Sequence, residues 1–217
     1  MSRFGRLFER FRPLRAQEHD AASHGCEELR WLVAGLGNPG EQYRHSRHNA
    51  GFIVAQRLAA KRGAVLSRRK FNGIYAEIRL DSTSAILLMP QTFYNRSGEC
   101  VSAMLGYFKI PIERLIVVHD EMDLRMGQLR IKRGGSDAGN RGVRSIIESL
   151  TTPDFVRVRV GIGHLQGAGD DINYLLKPLT DEEMTAMEAV CDRAADAVTA
   201  VICQGLERAM NLYNQRV

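Results

Sequence analysis

From Trp31 onward the hydrophobic and polar positions alternate between two rhythms. "WLVAGL" is a short apolar run ended by glycines, which predicts a buried strand. Residues 49 to 62, "NAGFIVAQRLAAKR", put Phe52, Ile53, Leu58 and Ala59 at helical spacing, with Asn49 or Ser46 as the expected cap. "IYAEIRL" alternates with period two and "SAILLM" is a continuous apolar run closed by Pro90, so the two are expected to pair as an antiparallel hairpin. A helix is expected over residues 98 to 108, with Cys100, Val101, Met104, Leu105 and Phe108 on one face; "KIPIE" separates it from "RLIVVHD", another buried strand. Then follow "QLRIKR", a glycine-rich loop at 134 to 142, a helix from about 143 to 150, and "FVRVRVGIG". At the end Met184, Met187, Cys191, Ala194, Val198, Val201 and Met210 recur at helical spacing, which predicts one long amphipathic helix packed on the domain.

Strands alternating with helices predict an α/β fold: a single-domain three-layer sandwich with a mixed, mostly parallel sheet flanked by helices. In such sheets ligands bind beyond the carboxyl ends of the strands, so "WLVAGL" and "RLIVVHD" should open onto one crevice with Asn38 and Asp120 at its lip. Residues 29 to 217 are expected to form this domain. Residues 1 to 28 break the rhythm, because "MSRFGRLFERFRPLRA" sets Arg3, Arg6, Arg10, Arg12 and Arg15 against Glu9 alone and "QEHDAASHG" has no apolar period. A basic, flexible extension is expected there, although an Arg-rich, acid-poor amphipathic start also fits an organelle-targeting peptide.

Charge adds a partner class. The 217-residue chain has a formal net charge of +5 and a pI near 9.2, which favours a polyanion without requiring one. No apolar run approaches the roughly 20 residues of a membrane-spanning helix, so no membrane partner is expected. The four cysteines, Cys26, Cys100, Cys191 and Cys203, form no C-x-x-C pair and read as buried or idle thiols in a reducing compartment. A cytoplasmic monomer is expected, or a mitochondrial one if the N-terminus is a targeting peptide.

The candidate chemistry is concentrated in residues 35 to 52, "GLGNPGEQYRHSRHNAGF". Gly35-x-Gly37-x-x-Gly40 satisfies the dinucleotide fingerprint in letters. However, Pro39 and Gly40 make a turn where the fingerprint needs a helix, and no Asp or Glu stands between Gln42 and Ala76 to bind a ribose. A hydrolytic site fits better. His48 can act as a base near neutral pH, Asp120 can hold its ring, and Asn38 and Asn95 can offer neutral amide donors to a substrate carbonyl. His45, His48, His119, Asp120 and Asp123 also have usable metal-ligand chemistry, although no spacing among them is diagnostic. A serine nucleophile has no G-x-S-x-G elbow to sit on.

"GLGNPGEQYRHSRHNAGF", "PQTFYNRSG", "VVHDEMDL" and "FVRVRVGIG", in this order and spacing, resemble the bacterial-type peptidyl-tRNA hydrolase family, and the likeness runs from Trp31 to Asn214. The resemblance implies hydrolysis of the ester joining a peptide to the tRNA 3′ ribose, without metal or cofactor. It implies that His48 is the general base activating water, that Asp120 stabilises its basic form, and that Asn38 distinguishes blocked from free aminoacyl groups. Tyr43, Phe93 and Asn95 fall where the family contacts the substrate and the tRNA end, and Lys132 and Arg159 match its basic clamp for the tRNA 5′ phosphate. Two departures stand out. In "GGSDAGNRG" Asn140 and Arg141 replace a His-Asn pair of the substrate loop, and Tyr94 stands where methionine is common; all three are expected among the substrate and tRNA contacts. Arg141, with donors only and a fixed charge, is expected to favour phosphate over peptide. A tRNA-binding relative with little turnover is therefore the alternative to a hydrolase.

Overall fold

Apolar runs bounded by glycine or proline form the central strands of the computed structural model, which describes residues 30–81, 83–163 and 171–215. The extension expected over residues 1 to 28, with Cys26, lies outside them. The strands are β1 (Arg30–Gly35), β2 (Arg68–Lys70), β3 (Gly73–Leu80), β4 (Thr83–Pro90), β5 (Leu115–Glu121), β6 (Leu129–Arg133) and β7 (Val156–Gly161). They form one 7-stranded sheet in the order β2-β3-β4-β1-β5-β7-β6. Neighbours β4, β1, β5 and β7 are parallel, and β3 and β6 run against them near the two edges. The expected hairpin pairs Gly73 with Pro90 through to Leu80 with Thr83.

Burial on both faces explains why the central strands are continuously apolar. Val33, Leu87, Ile116 and Val118 face one core with α1 (Ala50–Lys61) and α5 (Asp181–Gln204). Their alternates Leu32, Ala34, Leu88, Leu115 and Val117 face a second core with α2 (Ser97–Phe108) and α3 (Arg141–Leu150). The result is the expected three layers. Each fully buried aliphatic side chain contributes roughly 1.5–3 kcal/mol. Cys100 and Cys191 sit inside these cores, where burial pushes both thiols up to about 12, and Cys203 is exposed.

Several local expectations need correction. Neither Asn49 nor Ser46 caps α1, since the Ser46 hydroxyl donates to the Tyr43 carbonyl and the Asn49 amide is engaged with Asn38. The long C-terminal helix is two helices, because Gly205, at φ 91°, breaks the chain between α5 and α6 (Leu206–Tyr213). The glycine-rich loop ends sooner than its glycines suggest, for Asn140 accepts from the Val143 amide and starts α3 at Arg141. Short β2, with the sequence RRK, and α4 (Asp171–Leu176) carry no periodic apolar signature.

Candidate active site

The site is positioned by a close approach of backbones. A Cβ on Gly35 would lie 2.1 Å from the Gly51 carbonyl oxygen, and one on Gly51 would lie 2.3 Å from the Leu36 nitrogen. Only glycine lets the start of α1 rest on the end of β1, which brings Arg47-His48-Asn49 beside the carboxyl ends of β1 and β5. No helix begins within the glycine motif; a 3-10 turn at Glu41–Tyr43 follows it instead, in line with rejecting the dinucleotide reading.

His48 and Asp120 meet there. His48 Nδ1 lies 3.0 Å from Asp120 Oδ2, so the carboxylate accepts the Nδ1 hydrogen and leaves Nε2 as the free nitrogen of a ring that lines the cavity. Asp120 is 3% exposed. Burial pushes its carboxyl up, but the His48 charge and hydrogen bond, with the Tyr94 hydroxyl, outweigh burial and hold it below the usual carboxylate range. His119, next to it on β5, donates from Nδ1 to the Asp120 carbonyl at 2.8 Å, and burial pushes its imidazole down, which favours the neutral ring.

Asn38 is oriented by its neighbours. Its side-chain oxygen accepts from the Tyr94 amide at 3.0 Å, so the amide nitrogen is the group left for the cavity. Its backbone is clamped at both ends by Asn49, whose oxygen accepts from the Asn38 amide at 2.8 Å and whose nitrogen donates to the Asn38 carbonyl at 3.1 Å. Asn49 thus clamps Asn38 where its place before α1 suggested a helix cap. The available signal was a side chain with both a donor and an acceptor beside the histidine.

The cavity has a volume of about 490 Å³ and brings together His48, Asp120, Asn38, Tyr43, Phe93, Tyr94, Asn95, Asn140 and Arg141. Phe93 is 65% exposed, a free aromatic face at the rim, and Arg141 projects from the first turn of α3. Leu175 and Leu176 of α4 form an apolar side that sequence reasoning did not anticipate. Tyr94 and Asn140, expected among the substrate contacts, turn their polar atoms into the wall. The Tyr94 hydroxyl donates to Asp120 Oδ1 at 2.5 Å, and Asn140 donates to that hydroxyl at 3.0 Å and to the Asp120 carbonyl at 3.2 Å.

Lys132 and Arg159 do not line the cavity. They lie on adjacent strands β6 and β7 with Arg157, which is buried and donates to the Gly135 and Ser136 carbonyls of the glycine-rich loop. Arg159 pairs with Glu121 at 2.7 Å. Burial, and then the charges of Arg159 and Arg157, push the Lys132 amine down. Crowded cations of this kind are relieved by an anion. Of the metal-ligand alternatives, no three His, Cys, Asp or Glu side chains converge among the described residues.

Fold and site together define an α/β protein with a carboxylate-held imidazole at the carboxyl edge of its sheet. The family model described as Peptidyl-tRNA hydrolase matches residues 32–217. A peptidyl-tRNA hydrolase of Frankia casuarinae is 45% identical over 184 residues, 85% of this chain and 93% of that protein. One of Geotalea daltonii is 42% identical over 185 residues, 85% of this chain and 96% of that protein. The crystal structure of peptidyl-tRNA hydrolase from Acinetobacter baumannii superposes with a TM-score of 0.81 at 34% identity, over 86% of this chain and 95% of that one. The chain belongs to the peptidyl-tRNA hydrolase family.

Proposed function

We propose that this protein hydrolyses the ester bond of peptidyl-tRNA, releasing a peptide and a reusable tRNA, with His48 as general base. The observation that carries this reading is the 3.0 Å contact between His48 Nδ1 and Asp120 Oδ2, which leaves Nε2 on the wall of a cavity that also receives the Asn38 amide. Nε2 takes a proton from water as the water oxygen bonds to the ester carbonyl carbon. The Asn38 amide donates to the developing oxyanion, a contact typically worth about 10²-fold to 10³-fold in rate. When the carbon–oxygen bond to the ribose breaks, the imidazolium returns the proton to the leaving oxygen.

Binding is divided along the sheet edge. Tyr43, Phe93 and Asn95 surround the cavity mouth and take the terminal nucleotide and the first peptide unit, the exposed Phe93 ring offering a stacking face. Lys132 and Arg159 hold phosphate farther along the acceptor arm, and Arg141 adds a positive charge at the rim. The test is release of N-acetylated amino acid from N-acetylaminoacyl-tRNA over many turnovers, beside free aminoacyl-tRNA. Many turnovers on the blocked substrate are expected. Retention of the tRNA without release would make the protein a tRNA-binding relative instead.

A further inference from the structure

Tyr94 touches every group assigned to the chemistry. Its ring stacks on the His48 imidazole with centroids 3.5 Å apart and planes 15° from parallel. Its hydroxyl donates to Asp120 Oδ1 while Asp120 Oδ2 takes His48, so the two carboxylate oxygens are shared between phenol and imidazole. Burial, and next the Asp120 charge, push the phenol well above its ordinary range, so it keeps its proton and remains the donor. Its backbone amide orients Asn38. The residue is 4% exposed, and its ring packs so closely on Gly142 that a Cβ there would lie 2.4 Å from it.

We propose that Tyr94 is a positioning residue, whose ring fixes the plane of His48 and whose hydroxyl divides the charge of Asp120, and that together they set the pH range in which His48 takes a proton. This rests on His48 being the base. The hydrogen bond from His48 Nδ1 to Asp120 Oδ2 fixes one imidazole nitrogen but leaves the ring free to rock about its own long axis; the stacked phenol removes that freedom and holds Nε2 in line. The hydroxyl acts electrostatically. A carboxylate already stabilised by a phenol gains less from a neighbouring imidazolium, so removing the phenol oxygen strengthens the ion pair and keeps the proton on His48 to higher pH.

Removing the oxygen costs the Asn140 amide one acceptor and leaves it the Asp120 carbonyl; the other titratable or charged groups facing the pair stay the same. They are Glu121 on β5 and Asp123 just after it, buried His119 on β5, Arg141 at the start of α3, and Tyr43 from the turn after β1. The first turn of α1, Ala50 to Ile53, carries no charge, and α4 presents Leu175 and Leu176.

Tyr94→Phe keeps the ring and removes the oxygen. Its expected result is an upward shift, by about half a unit to one unit, both of the His48 midpoint followed by NMR and of the acidic limb of kcat/KM, with KM within about twofold of native. 3-Fluorotyrosine incorporated at position 94 keeps the shape and makes a stronger donor, so the midpoint should move the opposite way. Tyr94→Leu removes the stack as well and should lower kcat by about 10-fold to 100-fold. The proposal is overturned if neither the Phe variant nor the fluorinated protein moves the midpoint, or if both move it in one direction. The NMR titration needs no substrate. If the native protein fails to turn over and the midpoint still shifts as stated, the hydrolase reading falls while the role of Tyr94 stands.

Discussion

Replacing Asp120 by asparagine keeps the shape of the side chain and removes the charge on which the proposed mechanism depends. In the native protein Oδ1 accepts from the Tyr94 hydroxyl and Oδ2 from His48 Nδ1, at 2.5 and 3.0 Å. An asparagine has one acceptor for these two donors. If its oxygen stays with Tyr94, its amide hydrogens face His48 Nδ1, and the ring must move its hydrogen to Nε2, where it can no longer accept a proton from water. The charge matters as well. Opposite unit charges about 4 Å apart attract by about 4 kcal/mol at an effective dielectric near 20, and this attraction is gained only as His48 becomes an imidazolium. Since 1.36 kcal/mol is a factor of ten in rate, Asp120→Asn should lower kcat by about 10²-fold to 10⁴-fold with KM little changed.

Stability supplies a second reading of the same variant. The folded-state pKa of Asp120 is depressed, so its contribution is fully present above the ordinary carboxylate value of about 3.9 and is lost as pH falls through the lower folded value. The Asn variant should lack that acid-side loss, which denaturation midpoints measured between about pH 2 and pH 6 would show. Single-turnover and multiple-turnover hydrolysis of N-acetylaminoacyl-tRNA measures the rate. A variant within about threefold of native kcat, folded and with an unchanged pH profile, would refute the pairing as the source of catalysis.

Two further outcomes follow from contacts outside the cavity. Lys132→Ala with Arg159→Ala should weaken tRNA binding at low salt and reduce the slope of log affinity against log salt by about 1 to 2, measured by filter binding, while kcat at saturation is retained. Arg47 is buried, pairs with Glu183, donates to the Tyr174 and Lys177 carbonyls and lies 4.3 Å from the Tyr174 ring centroid, so it ties the segment bearing α4 to the turn bearing His48. Arg47→Met should cost about 2 kcal/mol, a fall in thermal midpoint of about 4 to 8 °C, and should raise KM because Leu175 and Leu176 lose their anchor.

The chain patterns that were legible are those whose period reflects burial. "SAILLM" and "RLIVVHD" are apolar on both faces because helices cover both faces, and the sheet edge carrying Asn38 and Asp120 follows from where those strands end. His48 and Asp120, 72 residues apart, were joined on chemical grounds and lie in hydrogen-bond contact. What the pattern could not carry were features set by tertiary partners. Asn49 looks like a cap until Asn38 is beside it, and Arg141 looks like part of a loop until Asn140 turns to cap α3. Tyr94 reads as a substrate contact by its place in "PQTFYNRSG", yet Gly142, His48 and Asp120 enclose it from three distant parts of the chain. Short β2 is held by the ladder to β3 and not by any burial of its own charged residues.

The most direct measurement compares native protein with His48→Ala for both hydrolysis of N-acetylaminoacyl-tRNA and affinity for the deacylated tRNA. With His48 as the base, turnover falls by about 10²-fold to 10⁴-fold and the tRNA Kd stays within about twofold of native, since the proposed phosphate and base contacts lie on other residues. Equal turnover in the two proteins, with the variant shown to be folded and free of native enzyme, would contradict the assignment of His48 as the group that activates water.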